Sequence, residues 1–92
     1  MIKSIRHKGL RKFHETGSAS GVQTNHVRRL RLQLAGLESA QTIDGMDIPG
    51  FRLHPLKDRL KGRWSIFVNG NWRLTFEFDE GNVYVLDYED YH

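Results

Sequence analysis

The C-terminal third of the chain alternates apolar and polar residues, which is the pattern of half-buried strands. The apolar positions on one side are Trp64, Ile66, Val68, Trp72, Leu74, Phe76 and Phe78. Residues 69–71 and 79–82 contain Asn, Asp and Gly, which favour tight turns, and residues 83–88 supply a third segment. The pattern therefore predicts a three-stranded antiparallel meander with one apolar face.

Two helices are predicted before this meander. Residues 8–16 place two apolar side chains three apart and stop at Gly17, a residue that readily adopts the left-handed conformation beyond a helix end. The second helix has Thr24 or Asn25 as candidate caps. Its apolar stripe contains Val27, Leu30, Leu34 and Leu37, and its other side carries Arg28, Arg29 and Arg31. That basic side is either a solvated surface or a contact for an acidic partner.

Three shorter segments complete the expected fold. Residues 2–6 form a first short strand, residues 41–50 form a loop rich in Gly and Asp, and residues 51–54 add a strand bounded by Pro55. A sheet with one apolar face must bury that face against other elements. The sequence thus predicts an α+β fold, with two N-terminal helices packed on one face of a small antiparallel sheet, in a single domain spanning residues 1–92.

The opposite face of the sheet is expected to be polar and partly basic. Its positions are Arg63, Ser65, Arg73, Thr75 and Glu77, and a rim of Lys57, Arg59 and Lys61 leads into the same strands. Such a face is either a platform for single-stranded nucleic acid or a solvated surface without a partner. Arg73 accordingly either contributes to a phosphate site or only pairs with Glu77.

Composition and charge narrow the class of protein. The chain has 92 residues, 14 of them basic and 11 acidic, for a net charge of +3 and no cysteine. Residues 1–63 hold 13 basic and 5 acidic residues, a net charge of +8, which favours a polyanionic partner. The size excludes a large cofactor enzyme, and the lack of Cys excludes disulfides and thiolate chemistry. Without a long apolar run, the chain is expected to be cytoplasmic, with no membrane partner.

Few chemical motifs are available for catalysis. No two of the five histidines have the spacing of a zinc site, and no phosphate-binding glycine loop or nucleophile elbow is present. No metal and no cofactor are therefore expected. The remaining groups are His54, Lys57, Arg73 and residues 89–92, which transfer protons and bind phosphate but include no evident nucleophile.

RNA cleavage fits this set because RNA supplies its own nucleophile. When the 2′-hydroxyl attacks the adjacent phosphorus, a protein needs only a base, an acid and cations for the developing charge. Histidine suits the proton transfers because its pKa lies near ~6.5. Each residue alone has a simpler interpretation, since His54 can be a surface loop histidine and His92 a frayed terminus.

Several segments together resemble the HigB family of toxins, within the RelE/ParE superfamily. They are residues 51–57 (FRLHPLK), 62–66 (GRWSI), 68–76 (VNGNWRLTF) and 88–92 (YEDYH), and the opening MIKS is also similar. The resemblance implies a RelE-like microbial ribonuclease fold, metal-free cleavage of mRNA in the ribosomal A site, and neutralisation by a HigA-like helix-turn-helix antitoxin. It implies a catalytic set of His54, Asp90, Tyr91 and His92, with Lys57 and Arg73 assisting at the phosphate. Arg63, on the polar face of the sheet, is predicted to bind RNA phosphate as well.

Two other functions compete with this hypothesis. The chain can be a non-enzymatic gyrase inhibitor, as in the ParE branch of the superfamily, or a basic RNA-binding protein of the ribosome. The pair of titratable histidines, His54 and His92, favours cleavage over either, because a binding module needs no proton carriers. The sequence does not assign which histidine is the base and which the acid.

Overall fold

The computed structural model describes residues 1–57 and 62–91 and places two helices before a four-stranded antiparallel sheet. The helices are α1 (Lys8–Thr16) and α2 (Val27–Ser39), and the strands are β1 (His54–Pro55), β2 (Arg63–Asn69), β3 (Trp72–Asp79) and β4 (Asn82–Asp90). Short 3-10 turns span Thr24–His26 and Ile43–Met46. Because the strands follow one another in the order β1-β2-β3-β4, the predicted α+β class and meander are confirmed.

Helix α1 has the limits that the sequence predicts. The His7 Nδ1 accepts a hydrogen bond of 3.0 Å from the Leu10 N–H, which caps the N-terminus. Gly17 takes the left-handed conformation at a φ of 80°, and its N–H closes the last turn. Neither helix in the described part of the chain has the length and apolar content to span a membrane.

Helix α2 begins differently from the expectation. The predicted cap at Thr24 or Asn25 is wrong, because a 3-10 turn covers those residues and His26 occupies the cap position. His26 makes no capping bond with its side chain. Its Nδ1 instead pairs with the hydroxyl of Tyr88, so a contact with the sheet replaces the local cap.

The predicted first strand is reduced to two bridges along the free edge of β4. They join Ile2 to Val83 and Ile5 to Leu86, in parallel orientation. Between them Val85 has a φ of 52°, and its N–H donates to the Ser4 Oγ at 2.8 Å. This bulge interrupts the ladder, while the N-terminal segment still covers the edge of the sheet.

The apolar residues of both helices and the sheet join one buried cluster. Its members include Leu10, Phe13, Leu30, Leu34, Leu37, Met46, Ile66, Val68, Leu74, Phe76, Val83 and Leu86. Most of these are the helix stripe positions and the alternate positions of β2 and β3 that the sequence pattern marks as apolar. Met46 instead comes from the 3-10 turn at Ile43–Met46, and Val83 and Leu86 lie three residues apart because the bulge at Val85 shifts the alternation of β4. Burial of each large side chain contributes about 1.5–3 kcal/mol to folding.

The strand predicted at residues 51–54 starts later than expected. The chain turns first, with the Phe51 N–H bonded to the Ile48 carbonyl and Arg52 in the left-handed region at a φ of 50°. Only His54 and Pro55 then pair with β2. Pro55 therefore belongs to the strand rather than bounding it, which suits an edge position because proline has no N–H to donate.

Candidate functional site

A cleft of about 540 Å³ lies where β1, β2, β3 and the C-terminal segment meet. Its lining residues are Arg52, Leu53, His54, Leu56, Ser65, Arg73 and Tyr91. It thus brings together three of the seven residues proposed from the sequence: His54, Arg73 and Tyr91. We call it the His54 cleft.

Strand pairing sets the positions of these side chains. The Cα of His54 lies opposite Ser65, and Ser65 lies opposite Thr75, so the three form one row across the sheet. Arg73 is two residues before Thr75 and therefore lies on the same face. The Tyr91 N–H donates to the Asn71 carbonyl at 2.8 Å, which holds the C-terminal segment against the turn between β2 and β3.

His54 is exposed at an edge strand. The following proline disfavours the helical region for His54 and keeps its backbone extended. Pairing with Ser65 on β2 fixes the register of that short strand. The imidazole is thus accessible from solvent while the pairing with β2 and the following Pro55 hold its backbone.

Arg73 is half-buried and turned toward the β2–β3 turn. Its Nη1 donates to the carbonyl oxygens of Gly70 and Trp72, each at 3.0 Å. The guanidinium carbon lies 4.8 Å from the centroid of the Phe67 ring. These contacts direct the guanidinium away from Glu77, so they do not support the simple Arg73–Glu77 pair.

Arg63 belongs to a hydrogen-bonded row beside the cleft rather than to its lining. The Arg63 Nη2 donates to the Thr75 Oγ1 at 3.2 Å, and that hydroxyl donates to the Glu89 Oε2 at 2.5 Å. Thr75 is fully buried by these neighbours. The polar face of the sheet is therefore partly covered by its own charged side chains, where the sequence predicts an open surface.

The other predicted residues have different surroundings. Asp90 pairs with Trp72 while Glu89 pairs with Arg73, so alternation puts Asp90 on the side of the sheet opposite Arg73. Lys57 is exposed and does not line the cleft. His92 lies outside the described residues, as do Arg59 and Lys61 of the predicted basic rim. Within residues 1–57 and 62–91, no three His, Asp or Glu side chains form a group that could hold a metal ion.

A buried histidine and tyrosine pair lies on the other face of the sheet. His26 is 3% exposed, and its Nδ1 is 2.5 Å from the Tyr88 hydroxyl. The Tyr88 ring lies 4.4 Å from the Trp72 ring and 5.2 Å from the His7 ring, measured between centroids. This pair was not predicted from the sequence, although His26 lies four residues before Leu30 and so extends the apolar stripe of α2.

Burial shifts the pKa of both partners. Removal from water lowers the pKa of His26, because burial disfavours the charged imidazolium. Burial likewise raises the pKa of Tyr88; the N–H of Gln23 opposes this effect, and the negative charge of Asp90 adds to it. Both groups are therefore neutral in the folded protein near neutral pH.

The pKa shift of His26 predicts acid sensitivity of the fold. Because the folded-state pKa of His26 is below the unfolded value of about 6.5, the unfolded chain binds more protons in acid. This contribution to stability is fully present above the unfolded value and is lost as the pH falls from there through the lower pKa of His26 in the folded protein. We expect His26→Gln to remove part of the decline in urea midpoint between neutral and mildly acidic pH.

His14→Gln is the matched control, because His14 is exposed at the end of α1. It should keep the pH dependence of the wild-type midpoint. Parallel curves for wild type and His26→Gln would contradict the assignment.

Phe67 is an aromatic residue on an otherwise polar side of β2. Its ring is approached by the guanidinium carbons of Arg29 at 5.6 Å, Arg52 at 4.5 Å and Arg73 at 4.8 Å. Arg29 also donates to the carbonyl oxygens of Gly50 and Phe67. Arg29 is therefore a structural link from α2 to the sheet rather than part of a solvated face. Neither Arg52 nor Phe67 was singled out from the sequence, although an aromatic residue at a polar strand position is a usable signal.

Comparison with known proteins supplies the family. A family model described as the RelE-like toxin of the type II toxin-antitoxin system HigB matches residues 3–92. The chain is 46% identical over 92 residues to "Endoribonuclease HigB" of Proteus vulgaris, with all of both chains covered. The solved structure of the YoeB dimer from Staphylococcus aureus is similar with a TM-score of 0.61 at 16% identity, covering 100% of this chain and 93% of that one. The latter similarity concerns the fold alone.

Proposed function

This chain belongs to the HigB-like family of RelE-like toxins of type II toxin-antitoxin systems, and on that premise we propose that it is a ribosome-dependent endoribonuclease. It cleaves mRNA in the ribosomal A site and so inhibits translation and growth. The observation that carries the proposal is that an imidazole, a guanidinium and a phenol, from His54, Arg73 and Tyr91, line one cleft. The identity with a relative named as an endoribonuclease supports it.

The proposed reaction uses the 2′-hydroxyl of the RNA as nucleophile. A base removes the hydroxyl proton, the O2′–P bond forms, and the P–O5′ bond breaks as an acid protonates the leaving oxygen. The products are a 2′,3′-cyclic phosphate, or the 3′-phosphate after hydrolysis, and a 5′-hydroxyl. No cofactor or metal ion takes part in these steps.

His54 and His92 are the proposed proton carriers, one as base and the other as acid. Asp90, at the end of β4 and on the side of the sheet opposite Arg73, is proposed to orient an imidazole of the set. Tyr91 stacks on a base or positions the phosphate. Arg73 stabilises the charge that develops on the phosphorane, the kind of electrostatic contribution that is often the largest in such reactions. Lys57 and Arg63 add positive charge along the path of the RNA.

Dependence on the ribosome follows from the size of the site. The cleft, to which residues 1–57 and 62–91 contribute seven lining side chains, has little surface with which to orient a flexible RNA strand. Correct orientation of reacting groups contributes up to about 7–11 kcal/mol to a reaction. In this proposal the ribosome supplies that orientation by presenting the mRNA in a fixed conformation.

The proposal includes a regulatory partner and a cellular location. A type II toxin of this family is neutralised by an antitoxin protein, here a HigA-like protein with a helix-turn-helix. The toxin acts in the cytoplasm, where the ribosome is found, and uses no membrane. In this proposal the two helices pack on the apolar face of the sheet, and the side with the His54 cleft is left to the RNA.

Mapping RNA 5′ ends tests the proposed function. Purified protein should cut ribosome-bound mRNA within the A-site codon, leave 5′-hydroxyl ends, and act far more slowly on the same mRNA free in solution. A chelator selective for transition metals, in buffer that keeps enough Mg²⁺ for the ribosome, should not change the rate. Equal cutting of free and bound mRNA would contradict ribosome dependence. Intact mRNA together with inhibited DNA supercoiling by gyrase would overturn the proposal.

A further inference from the structure

Arg52 has an unusual backbone conformation at the edge of the His54 cleft. Its φ is 50°, in the left-handed region that residues other than glycine rarely adopt. The residue is exposed and lines the cleft. Uncommon backbone conformations of this kind cluster at binding sites, where the surrounding structure holds them.

The neighbours of Arg52 fix that conformation from both sides. Phe51 is buried, and its carbonyl accepts a 2.6 Å hydrogen bond from the Phe67 N–H. His54 is paired with Ser65 on β2. The backbone between these anchors therefore has little freedom, and the Arg52 guanidinium carbon lies 4.5 Å from the centroid of the Phe67 ring.

The Phe67 ring lies close to the guanidinium groups of Arg52 and Arg73, which both line the His54 cleft. The guanidinium carbons of Arg52 and Arg73 lie 4.5 and 4.8 Å from its centroid, so they are within about 9 Å of each other. Attraction between a cation and the face of a ring stabilises each position. A single RNA strand passing the cleft can reach both groups.

The basic side chains of the cleft favour an anionic ligand. The described residues that line it include two arginines and a histidine and no carboxylate. The nearby Glu89 accepts a hydrogen bond from Thr75, in the row that also contains Arg63. Guanidinium groups match the geometry of phosphate, because their N–H donors can form paired hydrogen bonds with its oxygens.

We propose that Arg52 binds a phosphate of the RNA next to the one at which Arg73 acts, and that Phe67 is a positioning residue for both arginines. The inference rests on the proposed function and adds a second phosphate contact to it. Phe67 does not touch the substrate in this scheme. Its ring keeps two like charges at a fixed spacing before RNA arrives.

Two measurements on purified variants test the role of Arg52. Cleavage of ribosome-bound mRNA gives kcat and KM, and fluorescence anisotropy with a short single-stranded RNA, blocked by 2′-O-methyl groups, gives affinity against salt. Arg52→Ala should raise KM about ten-fold with little change in kcat, since a contact to a charged group outside the reacting phosphate is lost. The slope of log affinity against log salt should fall by about 0.7, the value for one phosphate contact to a single strand.

Conservative and control variants separate this role from simple loss of charge. Arg52→Lys should restore the salt slope. Phe67→Ala should lower kcat as well as raise KM, because Arg73 also loses its contact with the aromatic ring. Phe67→Tyr keeps the ring and should retain the wild-type kcat and KM. Arg31→Ala is the matched control, since the exposed Arg31 of α2 has its guanidinium carbon 5.6 Å from the centroid of the Phe13 ring of α1. It should cleave as the wild type does.

The outcomes distinguish this inference from the proposed function. If the wild type cleaves mRNA and Arg52→Ala matches Arg31→Ala in KM and salt slope, the inference is overturned and the proposed function stands. If the wild type leaves mRNA intact on ribosomes, the proposed function fails and the inference fails with it. Because Arg52 is exposed, Arg52→Ala decides the question even if Phe67→Ala does not fold.

Discussion

Replacing His54 with glutamine is expected to lower the rate of cleavage of ribosome-bound mRNA by about 10²- to 10⁴-fold, the usual contribution of a general acid or base. Glutamine keeps a polar side chain of similar length but cannot gain or lose a proton near neutral pH. His54 is exposed on an edge strand, so the substitution should leave the melting temperature unchanged. Single-turnover cleavage and thermal melting of the same preparations measure the two effects.

The exposed His14 on α1 provides a control for this experiment. His14→Gln makes the same chemical change away from the cleft and should cleave at the wild-type rate. A His54→Gln protein that cuts as fast as the wild type would show that His54 carries no proton in the reaction. A slow variant with a lowered melting temperature would assign it a structural role instead.

The sheet could be predicted from the sequence because its period is short and one face is buried. Alternation through β2 and β3 fixes which face carries Ile66, Leu74 and Phe76, because a slip by one residue would move these side chains out of the core. The turn at residues 79–82 is also local, since Glu80 and Gly81 supply the two positive φ angles, 48° and 80°, that a tight hairpin requires. Local sequence is therefore sufficient to predict both the buried face of the strands and the turn at residues 79–82.

The start of α2 could not be predicted, because it depends on a contact between distant residues. His26 and Tyr88 are 62 residues apart, and their hydrogen bond turns the His26 side chain toward the sheet. Sequence patterns favour Thr24 and Asn25 as caps because those residues often make local bonds. The tertiary contact dominates here, as it often does over local propensity.

Only part of the candidate site was accessible to sequence reasoning. The resemblance indicated His54, Arg73 and Tyr91, which do line one cleft. It also placed Asp90 in the same set as His54, whereas strand alternation puts Asp90 on the side of the sheet opposite Arg73. The positions of Arg52 and Phe67 in the site were not predicted. The first depends on a left-handed backbone at Arg52 and the second on a register shift in β2 after Phe67, and no local sequence pattern reliably predicts either feature.

Replacing Arg73 with alanine is expected to reduce the single-turnover rate by about 10²- to 10³-fold, the typical cost of removing one group that stabilises transition-state charge. Its side chain approaches the cleft over Phe67, and its Nη1 donates to the carbonyl oxygens of Gly70 and Trp72. Arg73→Lys retains the charge but lacks the planar donor pair, so an intermediate rate is expected.

Arg31→Ala removes the same charge from α2, where Arg31 also lies over an aromatic ring, and controls for the change in net charge. It should keep the wild-type rate while Arg73→Ala loses activity at an unchanged melting temperature. If Arg73→Ala cleaves as fast as Arg31→Ala, Arg73 does not stabilise the phosphorane. If Arg73→Ala instead melts well below the wild type, its bonds to Gly70 and Trp72 serve the β2–β3 turn rather than the reaction. An unchanged melting temperature with a slow rate leaves electrostatic stabilisation at the phosphate as the role of this guanidinium.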